Sequence, residues 1–482
     1  MSPALREHPD YTDLPLSKNG AEQEFMKRRF YKIATCLPLI LAVALGLRLG
    51  FAWDQERKIP RDLVGLVPFL QETGNIAFSI ARGHGFGSPY WQETGPTAWL
   101  TPVYPYLVAG AYKIFGIHRP HAFFAVVLMN ILFSAATCIP IFYVGKYLGG
   151  VGLASVAAWL WALFPNAWII PFEWVWDTSL SGLLMATILW ATLRLVDGDV
   201  RAEYRDQNRA GPTTTRPASR RLWCWFGLLW GFALMTNPSL GVMLPFLIGW
   251  AVYRLLKLHE QNQGRALLKG PGLAIGVAIL CCLPWTVRNY VVFHRFVPLR
   301  SNFAFELWLG NNENFDPQSQ IVPAADPERE EIRNYVHMGE TAFMQDKWKR
   351  AVSFIRSHPK LELILFGRRF VAMWTGMEKP VEGFLDSGSL LTRIALLSNF
   401  LAAIGAFGGV IVLFLRRSPY AFPLAAFPIV FPVVYYVTHA SLRYRHPIDP
   451  IIILLTAVSI VEALERPRLL EESRNPPRLK AR

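Results

Sequence analysis

The sequence predicts an all-α protein, a polytopic bundle of about ten transmembrane helices with further helices outside the membrane. The 482-residue chain is 52% hydrophobic and only 17% charged, against about a quarter charged in ordinary globular domains. Apolar runs near 20 residues recur along its whole length, long enough to cross a ~30 Å hydrocarbon layer. The net charge of +14 collects mostly in short connectors and in the C-terminal tail, as the positive-inside bias requires. We therefore expect a membrane protein with no nucleic-acid partner.

The first apolar run sets the orientation. It extends from about Ile33 to Trp53 and follows the basic cluster Lys27–Lys32, so residues 1–32 are expected to form a cytoplasmic tail. The mostly polar N-terminal stretch does not resemble a cleavable signal peptide. Residues 54–120 are then the first exoplasmic loop. Within that loop the apolar stretch Pro102–Phe115, about 14 residues, is short for a span and favours an interfacial helix.

The later apolar runs are predicted to cross the membrane in alternating directions. They are His121–Tyr147, Gly149–Ile170, Asp177–Leu195, Leu222–Met235, Ser239–Leu256, Pro271–Val287, Ile394–Leu415, Pro419–Val437 and Ile451–Leu464. The basic connectors 201–221 and 257–269 should be cytoplasmic. Each span moves the chain to the other side of the membrane. Counting the spans back from these connectors therefore places both ends of Pro102–Phe115 on the exoplasmic side, so this stretch does not cross.

These runs divide the chain into successive regions. After the N-terminal tail come transmembrane helices with the first loop (33–287), an exoplasmic helical segment (288–392), the C-terminal transmembrane helices (393–464) and a cytoplasmic tail (465–482). The segment 288–392 is too long for a plain loop. An amphipathic helical pattern is predicted there from about Glu328 to Ser357.

Two arginines lie at a predicted membrane boundary, in the sequence Arg443-Tyr-Arg-His-Pro447. A charge at this depth is costly and often marks a functional site. The planar guanidinium can donate two hydrogen bonds to one phosphate. Arg443 and Arg445 are therefore predicted to clamp a lipid phosphate; the alternative is that both extend toward phospholipid headgroups. Arg288, at the outer end of another span, is either a third phosphate ligand or a helix-end anchor.

Several motifs in a fixed order carry a family resemblance. They are Glu72-Thr-Gly-Asn-Ile-Ala77, Gly83-His-Gly-Phe86, Thr101-Pro-Val-Tyr-Pro105, Trp176-Asp-Thr-Ser-Leu180, Leu283-Pro-Trp-Thr-Val-Arg-Asn289, Leu307-Trp-Leu-Gly-Asn-Asn312 and Arg443-Tyr-Arg-His-Pro447. From about Ile33 to Leu464 the chain resembles bacterial membrane glycosyltransferases of the GT-C superfold (family 39-like), related to protein O-mannosyltransferases and lipid A aminoarabinose transferases. The resemblance implies a polyprenyl-phosphate-linked sugar as donor and a site on the periplasmic face of the cell inner membrane. The acceptor, a lipid, glycan or protein, is not identified.

The resemblance also implies that an acid in the first outer loop is the catalytic base. Glu72 matches that position, although Thr73 stands where the family pattern has an aromatic residue. A carboxylate within hydrogen-bond reach can take the proton of an attacking hydroxyl. Glu93, Asp54 and Asp62 lie in the same loop and are the alternatives.

A second family carboxylate, which orients the acceptor or a metal, matches Asp177, with Glu173 as the alternative. Asp177 precedes Thr178 and Ser179, so it could equally be a helix cap. A divalent cation could use Glu72 or Asp177 as an oxygen ligand. Further candidate substrate contacts, each with a structural alternative, are Asn311, Asn312, His446 and His84.

Two other functional classes fit many spans and phosphate-binding arginines. One is a transporter or flippase for polyprenyl-linked glycans, and the other is a lipid-linked oligosaccharide ligase. No inverted repeat is apparent in the sequence. The large outer segment with clustered carboxylates favours a reaction at the membrane surface.

Overall fold

The protein is helical throughout the part of the chain that the structure describes. The structure is a computed structural model and describes residues 34–59, 71–90, 92–173, 175–198, 219–258, 264–312, 326–377, 385 and 389–474. Within these ranges there is no β-strand, only an isolated bridge between Gly87 and Pro96. The all-α fold class is confirmed.

The helices are numbered here in chain order. They are α1 (Leu37–Glu56), α2 (Glu72–Ala81), α3 (Val103–Phe115), α4 (Pro120–Ala136), α5 (Cys138–Leu163), α6 (Asn166–Glu173), α7 (Thr178–Asp197), α8 (Arg220–Thr236), α9 (Leu244–Leu258), α10 (Gly264–Phe293), α11 (Phe303–Gly310), α12 (Asp326–Met338), α13 (Glu340–Ser357), α14 (Pro359–Thr375), α15 (Leu390–Leu415), α16 (Ala421–Val430), α17 (Val433–Val437), α18 (Leu442–Arg445) and α19 (Asp449–Arg474). Short 3-10 helices at Pro238–Met243 and His446–Ile448 lead into α9 and α19.

Seven stretches among the described residues are long and apolar enough to cross a membrane. They are Leu37–Glu56, Pro120–Leu163, Thr178–Asp197, Pro238–Lys257, Leu268–Phe293, Leu390–Leu415 and Leu442–Glu465. About 20 helical residues rise ~30 Å, the thickness of the hydrocarbon layer. The chain is therefore a multi-pass membrane protein.

Eight of the ten predicted runs fall on these seven stretches. Pro120–Leu163 contains two of the predicted runs. The other two predicted runs are α8, which has only 17 residues, and the shorter apolar stretch Ala421–Val437. The predicted interfacial stretch is α3, whose 13 residues extend about 20 Å, less than the hydrocarbon thickness.

A tight hairpin inside α5 explains why two runs merge into one helical stretch. The backbone leaves helical geometry at Gly149 and Gly150, and Gly150 has a φ of 73°. A Cβ on Gly145 would lie 2.6 Å from the Cα of Ala154, so the two halves pass very close to each other. The chain reverses at the two glycines, next to the boundary that the sequence predicts between the runs His121–Tyr147 and Gly149–Ile170.

A buried arginine joins α1 to this hairpin. Arg48 is 0% exposed, and its Nε donates to Ser134 Oγ at 2.9 Å. Its other nitrogens donate to the carbonyl oxygens of Ala44, Trp161 and Ala162. Polar groups buried in a membrane protein need such internal partners, so Arg48 holds three segments of the bundle together.

The helices α11–α14 form a layer against one end of the bundle, and Glu340 fixes that layer. The Glu340 side chain, 6% exposed, accepts hydrogen bonds from Thr97 Oγ1, the Ala98 backbone N–H, Ser301 Oγ and Tyr335 Oη. These four hydrogen bonds offset the free-energy cost of burying the carboxylate away from water. The first loop and the layer are thereby held in one arrangement.

Candidate active site

One cavity gathers side chains from distant parts of the chain. Its lining residues are Thr73, Leu100, Thr101, Tyr104, Pro105, Trp176, Asp177, Thr178, Thr236, Asn237, Ser239, Arg300, Asn302, Phe303, Glu306, Val434, Tyr435, Thr438, His439, Arg443, Tyr444 and Pro447. All of them lie at ends of spans, or in segments between spans, that the sequence predicts to be on the same side of the membrane. The cavity therefore occupies a single end of the bundle.

Arg443 forms part of the cavity wall between two aromatic rings. Its guanidinium carbon lies 4.3 Å from the ring centre of Trp176 and 4.6 Å from that of Tyr444. Its Nη2 donates to Tyr444 Oη at 2.6 Å, and the carboxylates of Glu306 and Glu72 attract it electrostatically. Cation–π contacts fix the orientation of a guanidinium, so the Arg443 side chain has a defined position in the cavity wall.

Glu72 stands beside the cavity rather than in its lining. It is the first residue of α2, where the helix dipole favours a negative charge. Its neighbour Thr73 lines the cavity, and on the other side Gln71 accepts a hydrogen bond from Trp176 Nε1. The first loop and Arg443 thus meet around Trp176.

Asp177 lines the cavity at the start of α7. Its Oδ2 accepts hydrogen bonds from Ser181 Oγ at 2.7 Å and from Asn237 Nδ2 at 2.9 Å. No backbone N–H of α7 is capped by this carboxylate, which departs from the helix-cap alternative. Burial raises the pKa of Asp177, although the two hydrogen bonds and the nearby Arg300 act in the opposite direction.

Glu306 and His439 are cavity residues that the sequence motifs did not single out. His439 Nε2 lies 3.5 Å from Glu306 Oε2 and 2.8 Å from Tyr444 Oη, and Asn302 Nδ2 donates to Glu306 Oε1 at 2.9 Å. Burial lowers the pKa of His439, while Glu306 acts in the opposite direction. Glu306 directly precedes the motif that begins at Leu307, which was the only local signal for it.

Arg445 does not line the cavity, and the predicted two-arginine clamp has to be corrected at this residue. Arg445 is 0% exposed. Its Nε donates to Asp449 Oδ1 at 2.7 Å, its Nη1 to the carbonyl oxygens of Met373 and Trp374 at 3.1 Å, and its Nη2 to Asn399 Oδ1. All three guanidinium nitrogens have partners inside the protein, so no phosphate can reach them in this arrangement.

His446 and Arg288 also have structural partners instead of positions in the cavity. His446 is buried, with Nδ1 3.2 Å from Asp449 Oδ2. Arg288 donates to the carbonyl oxygens of Phe86 and Thr97 at 2.8 and 2.6 Å. Arg288 therefore anchors the first loop to α10, which matches the helix-end alternative rather than phosphate binding.

The two asparagines after Gly310 donate hydrogen bonds to backbone carbonyl oxygens. Asn311, 0% exposed, donates from Nδ2 to the carbonyl oxygens of Leu307 and Val437, both at 2.8 Å. Asn312 donates to Trp308 O at 2.9 Å. Neither is a lining residue of the cavity, so their contacts fit the turn interpretation.

The remaining candidates lie outside the cavity lining. Glu173 is exposed at the end of α6. His84 is exposed with its Nδ1 3.2 Å from Glu93 Oε1, and Asp54 is also exposed. Asp62, the last alternative base, lies outside the described residues.

The carboxylates of the cavity do not assemble a complete metal centre. In the part of the chain that the structure describes, no group of three or more His, Cys, Asp or Glu side chains is arranged to hold a metal ion. Asp177 Oδ2 is engaged by two hydrogen bonds, and Glu72 interacts with Arg443.

Comparison with known proteins gives remote structural similarity only. No family model and no curated protein sequence matches the chain. The oligosaccharyltransferase of Archaeoglobus fulgidus in complex with zinc and sulfate is 12% identical with a TM-score of 0.49, over 92% of this chain and 51% of that one. Its apo form is 14% identical with a TM-score of 0.49, over 91% and 51%.

A third similar structure is the oligosaccharyltransferase AglB of Archaeoglobus fulgidus in complex with an inhibitory peptide and a dolichol-phosphate. It is 13% identical with a TM-score of 0.49, over 94% of this chain and 53% of that one. The chain spans about half the length of these similar proteins. Similarity this remote does not extend to function, which has to be inferred from the side chains of the cavity.

Proposed function

We propose that the protein is an integral-membrane glycosyltransferase of the GT-C type. It transfers a sugar from a polyprenyl-phosphate-linked donor to an acceptor at the periplasmic face of the cell inner membrane. The observation that supports this proposal is that Arg443, a lining residue of the cavity, is attracted electrostatically by the carboxylate of Glu306 in the same lining and by that of Glu72 beside it. A cation suited to phosphate and a carboxylate suited to accept a proton are the two groups that glycosyl transfer from a lipid phosphate requires.

The reaction is a single displacement with inversion at the anomeric carbon. The acceptor oxygen forms a bond to that carbon while the bond from the carbon to the phosphate oxygen breaks. The acceptor proton passes to the Glu72 carboxylate, and the electron pair of the broken bond stays on the lipid phosphate. Arg443 stabilises the charge that develops there, an effect typically worth ~3 kcal/mol for one preorganised donor.

Asp177 and Glu306 are assigned to orientation of the sugar and the acceptor. Both line the cavity, and both are held in place by amide donors, Asn237 for Asp177 and Asn302 for Glu306. A fixed carboxylate can accept hydrogen bonds from sugar hydroxyls without losing side-chain entropy on binding.

The test is turnover of a polyprenyl-phosphate sugar by the purified protein. Glu72→Gln should reduce turnover by about 100-fold or more, the usual contribution of a general base, while binding of polyprenyl phosphate persists. The matched control is Glu93→Gln, an exposed acid in the same loop, which should retain full activity.

Two results would contradict the proposal. Movement of the lipid across a bilayer without turnover would favour the flippase alternative. Equal loss of turnover in Glu72→Gln and Glu93→Gln would remove Glu72 from its assigned role.

A further inference from the structure

Arg300 is a cavity residue that neither the motifs nor the proposed mechanism uses. It is part-buried and lines the same cavity as Arg443. Its Nη2 donates to Ser239 Oγ at 3.0 Å, and its guanidinium makes no other hydrogen bond within the described ranges. A guanidinium has five N–H groups, so most of those of Arg300, a lining residue of the cavity, have no hydrogen-bond partner within the described ranges. The nearby Asp177 carboxylate attracts the guanidinium electrostatically. Arg445, by contrast, donates four hydrogen bonds to partners inside the protein.

The backbone around Arg300 is fixed on both sides. The carbonyl oxygen of Leu299 accepts a hydrogen bond from Trp285 Nε1 at 2.8 Å. Ser301 N donates to Ala98 O at 2.8 Å, and Ser301 Oγ donates to Glu340 at 2.7 Å. A binding side chain on such a fixed backbone loses little entropy when a ligand arrives.

A continuous set of side chains connects Arg300 to Arg443 along one wall. Arg300 and Tyr435 both hydrogen-bond Ser239. The Tyr435 ring stacks on Tyr444 with centres 5.0 Å apart, and Tyr444 Oη accepts from Arg443. The two arginines are therefore the two ends of one contact network that lines the cavity.

A hydroxyl in the lining of the same cavity lacks a hydrogen-bond partner among the described residues. Thr178 lines the cavity and is 7% exposed, and its Oγ1 has no hydrogen-bond partner among the described residues. A buried polar atom without a partner is costly. A hydroxyl can donate to an oxyanion, as can the open N–H groups of Arg300.

We propose that Arg300 forms a second oxyanion subsite of the cavity, which binds a phosphate or carboxylate group of a substrate. The subsite rests on the proposed function in that the anion belongs to either the donor lipid or an acidic acceptor. Either Arg300 and Arg443 both bind the single phosphate of the donor, or Arg443 binds that phosphate and Arg300 binds an acidic group on the acceptor.

Two binding measurements on the full-length protein test the subsite. The first is the affinity for polyprenyl phosphate in detergent, measured by native mass spectrometry. The second is the affinity for inorganic phosphate and for acetate with polyprenyl phosphate already bound, measured by the shift of the thermal midpoint. Arg300→Gln should weaken one of them about tenfold, and Arg300→Lys should recover part of the loss. The matched control, Arg295→Gln, changes an exposed arginine of the same segment and should behave as wild type.

The affected measurement identifies the source of the anion. A loss in the first assigns the subsite to the donor, and a loss confined to the second assigns it to an acidic acceptor. Unchanged affinities in both, for Arg300→Gln and for Arg300→Met as a second neutral variant, would overturn the subsite. Arg300-dependent binding of inorganic phosphate by a protein that neither binds nor turns over the lipid donor would refute the proposed function and leave the subsite standing.

Discussion

At Arg445 the whole guanidinium is enclosed by protein, with Asp449 as its ionic partner and carbonyl oxygens of α14 around it. Two residues earlier, Arg443 is bounded by aromatic faces and lines the cavity. Two arginines two positions apart therefore have different surroundings, one enclosed inside the protein and one in the cavity wall. The different exposure of the two side chains leads to different expected effects of substitution.

Arg445→Ala should destabilise the protein by ~3–5 kcal/mol, because it leaves the buried Asp449 carboxylate without its partner. Unfolding in detergent, followed by a thermal or chemical transition, measures this loss. Arg417→Ala, at an exposed arginine, should change stability by no more than about 0.5 kcal/mol. A fully stable Arg445→Ala protein with impaired lipid-phosphate binding would instead restore the original two-arginine clamp.

Asp177 should make stability depend on pH. Burial raises its pKa above the ordinary value of 3.8, so the folded protein keeps this proton at pH values where the unfolded chain has lost it. The contribution of Asp177 to the free energy of unfolding is then greatest at low pH, and it falls as the pH rises through the raised pKa. The thermal midpoint of wild type relative to Asp177→Asn should decrease as the pH rises above about 4, the ordinary pKa of an aspartate. A difference that stays constant or grows with pH would contradict the assignment.

At the scale of elements, the close contact of α11 with α17 shapes the cavity. A Cβ on Gly310 would lie 1.8 Å from the carbonyl oxygen of Thr438. Arg369 of α14 spans the same junction, with Nη2 donating to Gly310 O at 2.6 Å and Nη1 to Val437 O at 2.9 Å. Because α11 carries Glu306 and Thr438 is followed by His439, this junction sets the separation of the two cavity residues.

Gly310→Ala should push the two elements apart. We expect a loss of stability of ~1–3 kcal/mol, typical of overpacking, together with weaker polyprenyl-phosphate binding. The control is Gly367→Ala in α14, where an added Cβ meets nothing within 4 Å and helix propensity favours alanine. Equal stability of the two variants would show that the junction tolerates displacement.

The helices could be predicted and the cavity only in part, for a physical reason. Apolar length is a local property, so runs such as Ile394–Leu415 identify spans directly. The separate environments of Arg443 and Arg445 depend on α14 and α15, far away in sequence, although Asp449 at i+4 from Arg445 was a readable signal for an ion pair. Arg300 and His439 had no signal, because only folding brings their segments together.

At the scale of the whole molecule, the predicted orientation places the cavity on the exoplasmic side. A cysteine introduced at Glu93, which is exposed, should react with a membrane-impermeant reagent added to intact cells. A cysteine at Arg417, exposed at the opposite end of its span, should react only after permeabilisation. The background requires replacement of Cys36, the exposed member of the free cysteines within the described ranges. The reverse labelling pattern would invert the topology.

The Glu340 contacts have a consequence for protein engineering. Since this one carboxylate receives donors from Thr97, Ala98 and Ser301 as well as Tyr335, the layer cannot be exchanged as an independent module. A chimera that imports helices equivalent to α12 and α13 from another protein has to import compatible partners at positions 97 and 301 with them. Grafts designed on helix boundaries alone should express as misassembled protein, whereas grafts that carry both partner positions should fold.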